Sequence, residues 1–267
     1  MSDQGDVLSE MLPFITRQPK PRQRGLNYVR SPAILGGYLD DVLACYALHI
    51  DILKLSGHQV TFSSRSSVVR AIEACRAADV RVAVGNPPLD VALSGGWACY
   101  MAFIAGLAAL GVEFIEVSCI GRAIDDEDFA QVIGAANEAG LKVIVEIGVE
   151  FAHSGSEDGN LFLGRRIQQA MSAMAAGAAI ILVESEGLTE NRKGQPYRWD
   201  ALDRIASSFR PDQLMFEADD QDVLSRFIDV FGPKVNLMVD HSKIEKIEAA
   251  RRGYGPSQSI WGKVVAV

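Results

Sequence analysis

Much of what would give this 267-residue chain an easily read function is missing. It has no excess of basic residues: the formal charge is −8, and no stripe of Lys and Arg interleaved with aromatics occurs. Phosphate backbones need concentrated cations, so nucleic acid is excluded as the main partner. No apolar run reaches spanning length. The nearest, residues 97–112, is short and interrupted by glycine, and it predicts a buried helix instead of a membrane segment. The first six residues include Asp3 and Asp6 and lack the basic-then-apolar profile of an export leader. The four cysteines, Cys45, Cys75, Cys99 and Cys119, form no close pair, and each sits in an apolar segment, which predicts reduced core thiols. A cytoplasmic protein without membrane contact is expected. His49, His58 and His153 have no metal-ligand spacing, and no glycine-rich nucleotide turn follows the first strand-like run.

What is present is a repeated pattern. Hydrophobic residues make up 48% of the chain and charged residues 22%, enough to bury a sizeable core. Short Val/Ile/Leu runs at residues 25–30, 50–55, 81–85, 114–118, 142–148, 180–184, 214–217 and 235–240 alternate with helical segments. Ala139-Gly140, Ala176-Gly177 and Gly232-Pro233 close helices just before a strand must begin. Near-continuous apolar strands of this kind require a parallel sheet covered on both faces. Eight strand–helix units in this length predict a single-domain α/β fold, the (β/α)8 TIM barrel, with an open doubly wound sheet as the alternative. The barrel is expected over residues 24–255, with an N-terminal arm at 1–23 and a tail at 256–267. Asp219 is the expected N-cap of the seventh helix, and Asn86-Pro87-Pro88 is expected to form a rigid turn.

A barrel carries its chemistry at the C-terminal ends of its strands. Those positions hold Asn27, Arg30, Lys54, Ser56, Asn86, Glu116, Ser118, Glu146, Glu184, Glu217, Asp240 and His241. Four strands delivering Glu116, Glu146, Glu184 and Glu217 to one rim are unusual, because a buried carboxylate is costly unless paired or bound to metal. A divalent cation that prefers oxygen, Mg²⁺, would neutralise them; a structural layer of ion pairs is the competing explanation. Lys54 fits three roles: a Schiff-base amine, a fixed charge for an anionic substrate, or a salt bridge to Glu116 or Glu217. His241 fits an acid–base residue, a ligand or an interface contact. The loops at Asp219-Asp220 and Asp240-His241-Ser242 are acidic, which disfavours a phosphate dianion there.

Several ordered blocks carry a family resemblance. They are Lys20-Pro21-Arg22-Gln23-Arg24-Gly25-Leu26, Asp51 with Lys54, Phe114 to Ser118 around Glu116, Val145-Glu146-Ile147-Gly148, Phe216-Glu217-Ala218, Gly232 to Leu237 and Arg251-Arg252-Gly253. The chain resembles the phosphosulfolactate synthase family from about Lys20 to Gly253. Val29 to Pro32, Leu55-Ser56-Gly57 and Val239 to Ser242 look closer to that family's plant heat-stress-associated branch. The resemblance implies a (β/α)8 barrel and a Mg²⁺-dependent lyase that adds sulfite to phosphoenolpyruvate on the way to coenzyme M. Together with the strand-end positions it assigns catalysis to Lys54, Glu146 and His241 and a metal to some of Glu116, Glu146, Glu184 and Glu217. Arg24, Arg30, Ser56, Asn86 and Ser118 would bind a small anionic substrate, and a homo-oligomer is expected because many barrels oligomerise. Departures cluster among the cations. Val149-Glu150 stand where the synthases carry lysines, Ser185-Glu186 where they carry an arginine, Asn86-Pro87-Pro88 replace a glycine turn, and Tyr254-Gly255-Pro256 replace an arginine-bearing tail. A site that has lost these cations should bind sulfite and phosphoenolpyruvate poorly. Two further readings follow: a family enzyme with a less anionic substrate, and a non-catalytic interaction protein. The last would have a sealed mouth with all four glutamates in salt bridges.

Overall fold

The structure, a computed structural model, describes residues 11–12, 14–31, 37–118, 126–148, 159–190, 192 and 194–254. The expectations for Cys119, Val149-Glu150, His153 and the tail at 256–267 lie outside the described residues.

Eight strands close on themselves in sequence order, all parallel. They are β1 (Asn27–Arg30), β2 (Ile52–Leu55), β3 (Arg81–Val84), β4 (Phe114–Ser118), β5 (Lys142–Ile147), β6 (Ile180–Val183), β7 (Leu214–Glu217) and β8 (Leu237–Asp240). The helices around them are α1 (Tyr38–Tyr46), α2 (Gly57–Phe62), α3 (Arg65–Ala77), α4 (Pro87–Ser94), α5 (Trp97–Leu110), α6 (Asp126–Glu138), α7 (Gly159–Ala175), α8 (Trp199–Ala206), α9 (Gln221–Phe231) and α10 (Ile244–Arg251). The expected (β/α)8 TIM barrel is therefore the fold, as one domain.

Two hydrophobic cores follow from the two-residue period of a strand. Outward residues such as Val29, Leu53, Ile115, Val145 and Val239 pack under the helices. Inward residues fill the barrel: Tyr28, Ile52, Ala83, Phe114, Ile144, Leu182, Met215 and Met238. Two positions further along each strand, at its C-terminal end, stand Arg30, Lys54, Gly85, Glu116, Glu146, Glu184, Glu217 and Asp240. The polar residues form the last inward layer, above an apolar floor.

Four expectations are corrected. Asn86-Pro87-Pro88 opens α4 instead of forming a turn, because proline is tolerated in a first helical turn whose N–H groups have no partner anyway. Asp220, not Asp219, caps α9, accepting from the N–H groups of Asp222 and Val223. Cys45 and Cys99 are exposed and, of the three described cysteines, Cys75 alone is core, since the other two lie on outward helix faces. Helix α5 buries Tyr100, Ile104 and Leu107 but leaves Trp97 42% and Met101 37% exposed, so it is a surface helix with an apolar outer face. No described helix is long and apolar enough to cross a membrane.

Candidate active site at the barrel mouth

Glu116 lies at the centre of the polar layer and has no exposure to solvent. Its Oε2 is 2.6 Å from Lys54 Nζ, and its Oε1 accepts a 2.6 Å hydrogen bond from the Tyr28 hydroxyl. Of the roles open to Lys54, the ion pair with Glu116 is the one formed. Burial pulls the Lys54 ammonium down, but Glu116, Glu146 and Glu217 outweigh it and hold it above its ordinary value. A lysine so held is a fixed charge, not a neutral amine nucleophile. Burial, followed by the Glu116 charge and hydrogen bond, drives the Tyr28 hydroxyl well above its usual range, so it stays a donor. Gly85 makes this packing possible: a Cβ there would stand 3.1 Å from Lys54 Cε and 3.4 Å from Glu116 Oε2.

Glu217 is balanced differently. Arg30 donates to its Oε1 at 2.7 Å, and the backbone N–H of Ser185 to its Oε2 at 3.2 Å. Arg30 also pairs with Asp219, whose Oδ1 accepts from the Asp240 N–H at 2.7 Å. That tie across the ends of β7 and β8 explains why Asp219 does not cap α9.

Glu146 and Glu184 are the unbalanced pair. Neither makes an ion pair among the described residues. Asn86 Nδ2 donates to Glu146 Oε2 at 3.0 Å, and Glu184 meets Glu146 side chain to side chain. Burial, then the neighbouring charge of Glu116, pushes the Glu146 carboxyl well above the carboxylate range, and Lys54 offsets this only in part. Burial and the charge of Glu217 raise Glu184 to about 7. Two carboxyls in contact with raised pKa values hold a proton between them near neutral pH. Glu184 Oε2 is buried with no hydrogen-bond partner.

The remaining candidates are scattered. Ser118 is buried and lies in register with Glu146. Ser56 caps α2 in a reciprocal capping box with Gln59, which accounts for its side chain. His241 stands on the rim, with Nε2 3.0 Å from the Tyr38 hydroxyl and Nδ1 3.2 Å from Asp240 Oδ1, so these contacts tie it to rim groups and not to the glutamates. Arg24 does not reach the mouth: it precedes β1, is exposed, and its field acts on Asp212 ahead of β7, at the opposite end of the barrel. Tyr28, Ser185 and Asp219 were not foreseen as site residues. Each carried a signal: Tyr28 is a hydroxyl-bearing residue at an inward position of the first strand, Ser185 follows Glu184 directly, and Asp219 lies in the acidic loop after β7.

The fit of Mg²⁺ can be judged from these partners. Glu116 and Glu217 are already neutralised by protein cations, and no group of three or more His, Cys, Asp or Glu among the described residues is arranged to hold a metal ion. Glu146 and Glu184, with one orphaned buried oxygen, still fit a cation of the kind that takes one or two carboxylates and completes its shell from substrate and water.

Residues 15–255 match the family of (2R)-phospho-3-sulfolactate synthase, ComA. The chain belongs to this family. Among its relatives, Protein HEAT-STRESS-ASSOCIATED 32 of Arabidopsis thaliana is 24% identical over 255 residues, covering 88% of each chain. Phosphosulfolactate synthase of Methanocaldococcus jannaschii is 25% identical over 236 residues, covering 86% of this chain and 92% of the other. Solved structures share the fold at low identity. The 3-hexulose-6-phosphate synthase of Salmonella typhimurium has a TM-score of 0.58 at 14% identity, covering 86% of this chain and 98% of its own. An HpcH/HpaI aldolase/citrate lyase family protein from Burkholderia cenocepacia has a TM-score of 0.55 at 14% identity, covering 87% and 94%.

Proposed function

We propose that this ComA-family chain is a lyase of the phosphosulfolactate synthase type, in which a nucleophile adds to the β-carbon of a small 2-enoic acid. The observation that carries this reading is the Glu146–Glu184 pair, which retains a proton near neutral pH beside a lysine held charged. As the nucleophile's electron pair forms the new bond, the π pair moves onto the substrate carboxylate. Lys54, anchored by Glu116 and Tyr28, stabilises that developing negative charge. The proton held by Glu146 and Glu184 then closes the reaction at the α-carbon, and elimination is the reverse. Mg²⁺, where held by Glu146 and Glu184, would take the place of that proton and supply positive charge to the developing carboxylate, the α-carbon proton then coming from water.

The charge balance bears on the substrate. Lys54 and Arg30 face Glu116, Glu217, Asp219, Asp240 and a carboxyl pair with one proton, so negative charges lead by three among these described residues. The N–H groups at the start of α9 and after β8, where barrels usually hold phosphate, are taken by Asp220 and Asp240. Both features favour an unphosphorylated acid over phosphoenolpyruvate. The partner-binding alternative predicts every glutamate locked in a salt bridge, and Glu146 and Glu184 are not. Proton NMR in D₂O tests the proposal with Mg²⁺, sulfite and either phosphoenolpyruvate or crotonate at stoichiometric enzyme. An adduct from crotonate carrying deuterium at the α-carbon is expected. An adduct from phosphoenolpyruvate alone would restore the phosphorylated substrate, and no adduct or exchange with either would overturn the lyase reading.

A further inference from the structure

A cavity of about 490 Å³ opens beside the mouth, between the loop that joins β6 to α8 and the start of α9. That volume lies within the range of small-molecule sites, about 300–1,000 Å³. The loop holds its own shape. The Ser185 carbonyl accepts the N–H groups of Leu188, Thr189 and Glu190 at 3.0, 2.9 and 3.1 Å, and the Arg192 guanidinium donates to the Gly187 and Pro196 carbonyls at 3.0 and 3.1 Å. Two residues belong to the mouth and to the cavity at once. Ser185 gives its backbone N–H to Glu217 and its hydroxyl to Glu190 Oε2 at 2.6 Å, and Asp219, on the cavity wall, pairs with Arg30. The cavity therefore adjoins the mouth, one residue beyond Glu184. On its wall, Glu190 Oε1, the Thr189 hydroxyl, the Gln195 amide and the Tyr197 hydroxyl have no hydrogen-bond partner among the described residues. A hydrocarbon tail would strip water from these groups without pairing them, and among the described lining residues only Val223 offers it a purely apolar side chain. A phosphate or sulfonate only accepts, and would face Glu190, Asp219 and Asp220. An ammonium only donates, and would meet the donors of Gln195 and Arg192. A hydroxyl both donates and accepts, so it suits the whole set.

We propose that this cavity is the distal subsite of the mouth, taking the hydroxyl-bearing end of a polyhydroxylated carboxylic acid, with Glu190 and Thr189 as its specificity-determining residues. The proposal rests on the lyase reading for the other end of that acid, the carboxylate received by Lys54. Hydroxyls beyond the β-carbon then donate to Glu190 Oε1 and exchange hydrogen bonds with Thr189 and Gln195. A site built for hydroxyls rejects an analogue that lacks them, because its own polar groups are left unpaired.

Isothermal titration calorimetry on the full chain tests this with gluconate and hexanoate, saturated acids of equal chain length that differ in their hydroxyls. Neither has the double bond, so binding is read without turnover. In wild type, gluconate is expected to bind at least about tenfold more tightly than hexanoate. Glu190→Ala and Thr189→Val should each bring that ratio close to one. The mouth is read separately by Lys54→Met combined with Glu116→Gln, which leaves no buried charge unpaired. This double variant should weaken both acids alike and keep their ratio. A ratio kept with no weakening of either acid would overturn Lys54 as the carboxylate site, and the mouth reading with it, while supporting the subsite. A wild-type ratio near one, a ratio unchanged in both subsite variants, or no binding of gluconate at millimolar concentration would overturn the proposal.

Discussion

At the scale of single residues, the mouth depends on how each carboxylate is balanced. Glu116 is buried outright, and among the described residues Lys54 is the cation that pairs with it. Removing one partner of such a pair leaves a buried charge uncompensated, which costs roughly 3–5 kcal/mol. Lys54→Met should lower stability by about that amount in a denaturant titration, and adding Glu116→Gln should recover most of it without restoring activity. Glu184 behaves differently, because its pKa in the fold, about 7, lies above the usual 4.5. Its protonated form is favoured by folding, so the stability it contributes is complete below about pH 4.5 and disappears as pH rises through 7. In EDTA, the wild-type melting temperature should fall between about pH 5 and 8, and Glu184→Gln should flatten that fall; an unchanged slope would contradict the raised pKa. Much of this layer was legible in the sequence, because each glutamate sits two positions beyond an inward apolar residue. What it could not show was the partnering. Tyr28 reaches Glu116 across 88 residues of chain, and Arg30 chooses Glu217 and Asp219 through barrel closure, which places β8 beside β1.

At the scale of elements, the strands were legible and the short helices were not. Most strands are short, largely apolar runs, and closure in sequence order requires no other pairing. Helix α2 has six residues with no apolar period, and α4 begins with two prolines that read equally well as a turn. Both matter to the site, since Ser56 and Asn86 lie at their starts. The two helices are also locked together: Gly57 is buried, and a Cβ there would run into the Pro88 ring and approach the Gly85 carbonyl at 3.1 Å. Gly57→Ala should therefore cost about 1–3 kcal/mol by overpacking. Because Gly85 borders Lys54, the variant should also lose more activity than its remaining folded fraction explains. Circular dichroism melts combined with an activity assay separate the two effects.

At the scale of the molecule, the barrel separates its charge. The mouth holds a surplus of carboxylates around one proton-sharing pair, and the opposite end lines a cavity with Arg17, Lys20, Arg22 and Arg252. The family match covers both ends, and the chain's overall charge of −8 conceals the contrast between them. The proposed function of the mouth centres on Glu146 and Glu184, the two carboxylates left unbalanced by protein cations. A divalent ion must displace the proton they share, since metal ligation requires the ionised form. The direct measurement is calorimetric titration of Mg²⁺ into the full chain near pH 6.5, below the Glu184 pKa of about 7, repeated in buffers of different ionisation enthalpy to count protons. About one proton should be released per Mg²⁺ bound, and Glu184→Gln should abolish that release. Absence of Mg²⁺ binding, binding without proton release, or an unchanged proton count in the variant would contradict the assignment of this pair as the functional centre.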